Sequence, residues 1–167
     1  MSGVMIKTGV YGIMRVLWHI NNTQELQTVG FIILAVGVVT GLWGVILAAL
    51  QNDVKRLLAY SSIENIGVIF IGLGIATLGL AASNSIVATL ALCGALLHIV
   101  NHSLFKTLLF FGAGNLYSQM HSTHLNSFGG VAKSMPVTAI LFLIATAAIC
   151  ALPPLNGFVG EFMIYLG

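Results

Sequence analysis

Residues 28–50 contain no charged residue and no Asn, Gln or His. A helix needs about 20 mainly apolar residues to cross the hydrocarbon core of a bilayer, and this stretch is long enough. Only 6% of the chain is charged, whereas soluble domains average about 25% charged residues. The sequence therefore predicts an all-α integral membrane protein, a polytopic helix bundle.

Four further apolar stretches are the length of a membrane helix or close to it. They cover residues 1–20, 61–82, 86–115 and 136–152. Because residues 86–115 exceed one crossing, we expect a tilt, a kink or an interruption there. Pro153 and Pro154 stop the fifth stretch, yet apolar sequence resumes after Gly157. This pattern is typical of a discontinuous membrane helix, so we expect about five transmembrane helices, the last broken at residues 153–157.

The basic residues indicate how the bundle is oriented. Lys55, Arg56 and Lys133 fall in the predicted loops 51–60 and 117–135, on one side of the membrane, and Arg15 falls on the other side. By the positive-inside rule, we expect loops 51–60 and 117–135 to be cytoplasmic. The net charge of +2 is small and scattered, so nucleic acid is not an expected partner.

The ends of the chain suggest a piece of a longer subunit. The sequence opens inside an apolar stretch and stops about ten residues after the broken helix resumes, which is too short for another crossing. We therefore expect one partial membrane domain over residues 1–167.

Three titratable side chains share one helix face within the fourth stretch. His98, His102 and Lys106 are each four residues apart, so a helix places them on one stripe. A lysine at mid-bilayer depth costs about 2.5–3.5 kcal/mol and usually marks a functional site. Histidine suits proton relay, although about 12 Å of helix rise from His98 to Lys106 requires bridging water. The stripe therefore predicts a proton path.

Other interpretations of this stripe stay open. Lys106 could snorkel, with its ammonium group at the membrane interface. Each histidine could simply hydrogen-bond between helices. A metal site is the least favoured interpretation, because His98 and His102 have no cysteine or carboxylate near them in sequence.

Two further charged residues lie inside apolar sequence. Lys7 falls in the first stretch, and Glu161 follows the Pro153-Pro154 break. A carboxylate beside freed backbone groups resembles a transporter ion site. The alternative for Glu161 is an interfacial position near a helix end.

The remaining acidic residues have a simpler interpretation. Ser61 and Glu64 fit a capping box, with Ser61 as N-cap. Asp53 could begin a short cytoplasmic helix that also carries Lys55 and Arg56. We keep Asp53, Lys55 and Glu64 as secondary candidates for the site.

Four motifs together resemble a known family. They are Met-Ile-Lys-Thr-Gly-Val-Tyr-Gly at residues 5–12, Asn-Asp-Val-Lys-Arg-Leu-Leu-Ala-Tyr-Ser-Ser at 52–62, the His-x-x-x-His-x-x-x-Lys segment at 98–115, and Pro-Pro-Leu-Asn-Gly-Phe-Val-Gly-Glu-Phe at 153–162. The chain resembles the antiporter-like subunits of respiratory complex I and its relatives. Within that superfamily, Ser-Ser-Ile-Glu-Asn-Ile-Gly at 61–67 is similar to the large membrane subunit of group 4 hydrogenases, such as hydrogenase-4 and formate hydrogenlyase.

The resemblance implies a bundle of about fourteen helices with two inverted five-helix repeats. This chain would cover the eighth to the twelfth helix. Lys7, Lys106 with His98 and His102, and Glu161 match the family's proposed proton-pathway residues. The resemblance implies no catalytic residue, metal or cofactor in this chain, whose two cysteines are too few for an iron–sulfur cluster.

The implied partners are the lipid bilayer, other membrane subunits, and a peripheral redox arm with Ni–Fe and Fe–S centres. The implied location is the inner or plasma membrane of a prokaryote.

The functional hypothesis is a proton-translocating membrane subunit of a hydrogenase or complex I-like oxidoreductase. The family's earlier glutamate and lysine would lie before Met1, so we do not expect this chain to pump alone. Two alternatives are a subunit of a sodium/proton antiporter and a truncated structural or assembly fragment without transport activity.

Overall fold

The computed structural model describes residues 2–167, which form seven α-helices and one short 3₁₀ turn. The helices are α1 (Met5–Leu17), α2 (Thr23–Ala49), α3 (Val54–Ala81), α4 (Ser85–Met120), α5 (Val131–Ser134), α6 (Pro136–Ile149) and α7 (Asn156–Leu166). Among these, α2, α3 and α4 are long and apolar enough to cross a membrane. The predicted all-α polytopic membrane fold is confirmed.

Polar side chains set where the three long helices begin. Asn22 accepts a hydrogen bond from the Gln24 amide at the start of α2, and Asn84 accepts one from Val87 at the start of α4. Asp53 accepts two, from the amides of the first turn of α3. Each cap satisfies N–H groups that the helix itself leaves free.

The predicted capping box at Ser61 and Glu64 is wrong, because both residues lie inside α3. Asp53 already satisfies the free N–H groups two turns earlier, and the apolar residues that follow continue the helix. Most of the predicted loop 51–60 is therefore helical. Lys55 and Arg56 belong to the first turn of this long helix and not to a separate short one.

Helix α4 is a single helix of 36 residues, which is about 54 Å long at 1.5 Å per residue. Of the tilt, kink or interruption predicted for residues 86–115, the interruption is absent, and this segment contains no proline. The helix ends at Met120, after which His121 adopts a left-handed conformation with φ of 49°. Residues 117–120, expected in a loop, are therefore helical.

Helices α2 and α3 pack backbone against backbone through glycine. A Cβ atom on Gly37 would lie 2.7 Å from the Ile71 nitrogen, and one on Gly44 would lie 2.5 Å from the Glu64 nitrogen. On α3, a Cβ on Gly67 would collide with the backbone of Gly41. Small residues at a membrane helix interface allow this close approach.

Helix α1 packs less completely than the others. Val10 joins Ile66, Ile69, Leu73 and Ala95 in a buried cluster between α3 and α4. The rest of α1 is mostly exposed, and its 13 residues make it shorter than the predicted segment 1–20. Met1 lies outside the described residues.

The break in the last membrane helix is confirmed. Helix α6 ends at Ile149 and α7 begins at Asn156, with Pro153 and Pro154 between them. Helix α7 returns against α4, where a Cβ on Gly160 would lie 3.1 Å from the His98 Cα. The fold thereby brings the second half of the broken helix against the helix that carries the histidines.

Candidate functional site

Lys106 is completely buried between α4 and α3. Its Nζ donates a hydrogen bond to the Leu58 carbonyl oxygen at 2.9 Å and another to the Ser61 hydroxyl. Both acceptors lie in one turn of α3. The ammonium group is therefore held inside the bundle, and the alternative that Lys106 snorkels to the interface is wrong.

His98 faces the same helix one turn further along. Its Nε2 lies 3.1 Å from Oδ1 of Asn65 on α3, and its ring is fully buried. The interpretation of an interhelical hydrogen bond therefore holds for this histidine. Its Nδ1 has no hydrogen-bond partner among residues 2–167.

His102 lies between the other two members of the stripe and is also fully buried. Neither of its ring nitrogens has a hydrogen-bond partner within the described residues 2–167. The ring centroid is 6.4 Å from that of His98 and 5.4 Å from that of Phe105, which it meets edge-on. No protein group within the described residues 2–167 therefore fixes the tautomer of His102.

Lys7 reaches the site from α1. It is only 8% exposed, and its Nζ donates to the carbonyl oxygens of Ser2 and Gly3, at 2.7 and 2.5 Å. A Cβ on Gly3 would lie 2.5 Å from Thr107 Oγ1, so the turn before α1 packs on α4. The turn that holds the Lys7 ammonium group is therefore packed on the helix that carries the histidines.

Two half-buried carboxylates, Glu64 and Glu161, lie on the helices that pack against α4. Glu64 occupies α3 between Ser61, which binds Lys106, and Asn65, which binds His98. Glu161 follows Gly160, the α7 residue that packs against His98. The structure therefore gives Glu64 a more central position than the capping interpretation did.

A pair of asparagines joins the histidine helix to the broken helix. Asn101 Nδ2 donates to the Asn156 carbonyl oxygen at 2.7 Å, and Asn156 Nδ2 donates to Asn101 Oδ1 at 3.2 Å. Asn156 is the first residue of α7. Sequence reasoning missed this pair, although an asparagine between two histidines in an apolar helix was a usable signal.

Asp53 anchors a separate cluster at the end of α3 that carries its cap. It accepts a hydrogen bond from the Thr123 hydroxyl, and its neighbour Val54 donates from its amide to the Thr123 carbonyl at 2.9 Å. The Thr123 hydroxyl and the backbone amide of Arg56 lower the pKa of Asp53 below its ordinary value. Lys55 lies 4.2 Å from the centre of the Tyr117 ring, so this cluster fixes the ends of α3 and α4 to each other.

Across residues 2–167, no three His, Cys, Asp or Glu side chains come together as metal ligands do. The arrangement instead combines buried groups that hold or exchange protons. It consists of a fully buried ammonium group, two buried imidazoles and two half-buried carboxylates, all within helices α3, α4 and α7.

The chain matches a protein-family model over residues 1–167. The family is described as NADH:quinone oxidoreductase/Mrp antiporter, TM. The chain belongs to this family. Hydrogenase-4 component B of Escherichia coli K12 is 43% identical to this chain over 96% of its residues. Formate hydrogenlyase subunit 3 of the same organism is 40% identical over 98% of it.

The family also connects the chain to quinone oxidoreductases. NAD(P)H-quinone oxidoreductase chain 4 1 of Synechococcus sp. is 37% identical over the whole chain. The predicted resemblance to complex I/Mrp-type antiporter-like subunits, with hydrogenase-4 and formate hydrogenlyase among the relatives, is confirmed. The chain spans about a quarter of the length of these relatives, from 24% to 29%.

The family fold agrees with a solved structure. A chain in the membrane-bound sulfane sulfur reductase, an archaeal respiratory membrane complex, matches 99% of this chain with a TM-score of 0.86 and 26% identity. The match covers 32% of that chain. The helices described above are therefore arranged as in an experimentally solved member of a respiratory complex.

Proposed function

We propose that this chain forms part of a proton-translocating, antiporter-like membrane subunit in a hydrogenase- or complex I-like oxidoreductase. Its role is to move protons along a buried path, while electrons are transferred in partner subunits. The family membership and the hydrogenase-4 and quinone oxidoreductase relatives support this class of function.

The observation that carries the proposal is the burial of Lys106. A lysine with no exposed surface in an apolar helix is costly to insert. It is held by one carbonyl and one hydroxyl, with no carboxylate in direct contact among residues 2–167. Such a lysine can lose its proton without breaking a salt bridge, which is the property that a transfer site needs.

The proposed path runs from Lys7 to Glu161. Lys7 acts at one end, His102 and His98 follow on α4, and Lys106 is the central site. Water carries the proton over the gaps, since neighbouring groups of the stripe are about 6 Å of helix rise apart. We add Glu64 as the group between Lys106 and Glu161, because it lies on α3 between Ser61, which binds Lys106, and Asn65, which binds His98.

The same proposal assigns the remaining components. The Ni–Fe and Fe–S centres belong to the partner subunits in a peripheral arm, and this chain holds none. The partners in the bilayer are other membrane subunits, and the location is the inner or plasma membrane of a prokaryote. The segments 51–60 and 117–135, which carry Lys55, Arg56 and Lys133, face the cytoplasm.

The test is Lys106→Met in the full-length gene product, assembled in its native complex and studied in membrane vesicles. Proton translocation and redox turnover are measured on the same preparation. Groups that transfer protons typically contribute a factor of about 10²–10⁴, so we expect translocation to fall by about 10² or more while the complex still assembles. Lys133→Met is the matched control, because Lys133 is an exposed lysine on α5.

The outcomes separate the alternatives. Unchanged proton translocation in Lys106→Met, with normal assembly and turnover, overturns the proposal. Proton movement that requires sodium ions on the opposite side favours the cation antiporter. A complex that assembles with this subunit but moves no ion favours the structural role.

A further inference from the structure

Asn65 has a fixed orientation inside the bundle. It is 3% exposed, and its Nδ2 donates a hydrogen bond to the Ser61 carbonyl oxygen at 2.8 Å. Turning the amide over would place its oxygen against that carbonyl oxygen, which has no hydrogen to give. The amide oxygen of Asn65 must therefore be the atom that faces His98 Nε2 at 3.1 Å.

An amide oxygen only accepts hydrogen bonds, so the nitrogen that faces it must carry the hydrogen. We infer that Asn65 fixes His98 as the tautomer protonated on Nε2, and that His98 gains and loses its transferable proton only at Nδ1. This inference rests on the proposed proton path for its role, and on the two Asn65 hydrogen bonds for its geometry. It makes Asn65 a positioning residue for His98.

The inference gives the two histidines different roles in proton transfer. A proton that arrives at Nδ1 of His98 cannot leave from Nε2, because the amide of Asn65 does not accept a proton there. His98 therefore holds a proton and returns it by the side on which it came. His102 has both ring nitrogens free of partners among residues 2–167, so it can take a proton on one nitrogen and release it from the other. The path runs through His102 and only branches to His98.

The tautomer can be measured without turnover. The full-length gene product is labelled with ¹⁵N-histidine and examined by solid-state NMR in its native complex, with His98→Gln used to assign the His98 signals. We expect neutral His98 to show a protonated Nε2 and an unprotonated Nδ1. Asn65→Leu removes the acceptor oxygen and should lose this pattern. Thr77→Val is the matched control, because the Thr77 hydroxyl is buried on α3 but donates only to its own helix at Leu73.

A His98 signal with hydrogen on Nδ1 in the wild-type protein overturns the inference, and this reading does not depend on whether Asn65→Leu folds. A pattern unaffected by Asn65→Leu also overturns it. Proton translocation tests the division of work: His102→Gln should abolish it, and His98→Gln should only slow it. Equal, complete loss in both variants contradicts the branch. Failure of the proposed function is seen separately, as normal pumping by Lys106→Met.

Discussion

The Lys106 ammonium group lies 2.9 Å from the carbonyl oxygen of Leu58, a residue 48 positions away in the chain. The same carbonyl oxygen accepts hydrogen bonds from the hydroxyls of Ser61 and Ser62, at 3.3 and 2.9 Å. Backbone geometry of α3 therefore determines where the central cation of the bundle is held.

Removing the Ser61 hydroxyl should slow proton transfer through Lys106. In Ser61→Ala the ammonium group keeps only the Leu58 carbonyl as a direct acceptor, and a hydrogen bond to a charged group is worth about 1.5–3 kcal/mol. We expect slower proton translocation with normal assembly, measured in vesicles that contain the full-length gene product. Ser103→Ala is the control, because the Ser103 hydroxyl donates only to Ile99 of its own helix. Equal effects of the two substitutions would contradict the role of Ser61.

The glycine contact between α2 and α3 should not tolerate a methyl group. Gly67→Ala would place its Cβ 2.6 Å from the Gly41 Cα, and overpacking of this kind costs about 1–3 kcal/mol. We expect a lower melting temperature of the solubilised complex. Gly114→Ala on α4 has open space within 4 Å of its Cβ and should melt as the wild type does. A Gly67→Ala protein of unchanged stability would refute the close contact.

The two asparagines of the pair should contribute unequally to the free energy of unfolding. Asn101→Ala removes both hydrogen bonds, whereas Asn156→Ala removes only the one at 3.2 Å, since the backbone oxygen remains. At about 0.5–1.5 kcal/mol for each bond, Asn101→Ala should destabilise more than Asn156→Ala. The measurement is the free energy of unfolding in detergent for both variants and the double variant. Asn115→Ala, at an exposed position of α4, is the control.

Asp53 should make the stability of the folded bundle depend on pH. Its pKa is lowered by the Thr123 hydroxyl and then by the Arg56 amide. A carboxyl group whose folded pKa lies below its unfolded value of about 3.9 stabilises the fold above that value. This contribution is lost as the pH falls through the folded pKa.

The measurement is the melting temperature of the solubilised complex between neutral and acidic pH. Asp53→Ala should be less stable than the wild type at neutral pH, and the difference should shrink on acidification. Asp53→Asn keeps a capping oxygen and should retain part of the stability. Glu25→Gln alters an exposed acidic residue in the first turn of α2 and serves as the control. A difference that stays constant at every pH would contradict the assignment.

The sequence predicted the membrane helices and the stripe because both depend on local spacing. The run at residues 28–50 had to be a helix in lipid, and a spacing of four residues placed His98, His102 and Lys106 on one face. The proline pair predicted the break. In each case the chemistry of a short segment decided the structure.

What the sequence did not predict depends on contacts between distant segments. The sequence offered Asp53 as a helix start, but it did not predict the hydrogen bond that Asp53 accepts from the Thr123 hydroxyl, 70 residues away. The acceptors of Lys106 and the partner of His98 lie on α3, and no local pattern in α4 names them. The position of Glu64 between the residues that bind Lys106 and His98 was not predicted for the same reason.

The close backbone contact of α2 with α3 has a mechanical consequence. Where glycine lies at the contact, no side chain separates the two helices. The Leu58 carbonyl and the Ser61 hydroxyl of α3 therefore cannot shift without carrying α2 along. Any change in the packing of α2 is therefore expected to reach the Lys106 ammonium group through its two acceptors on α3.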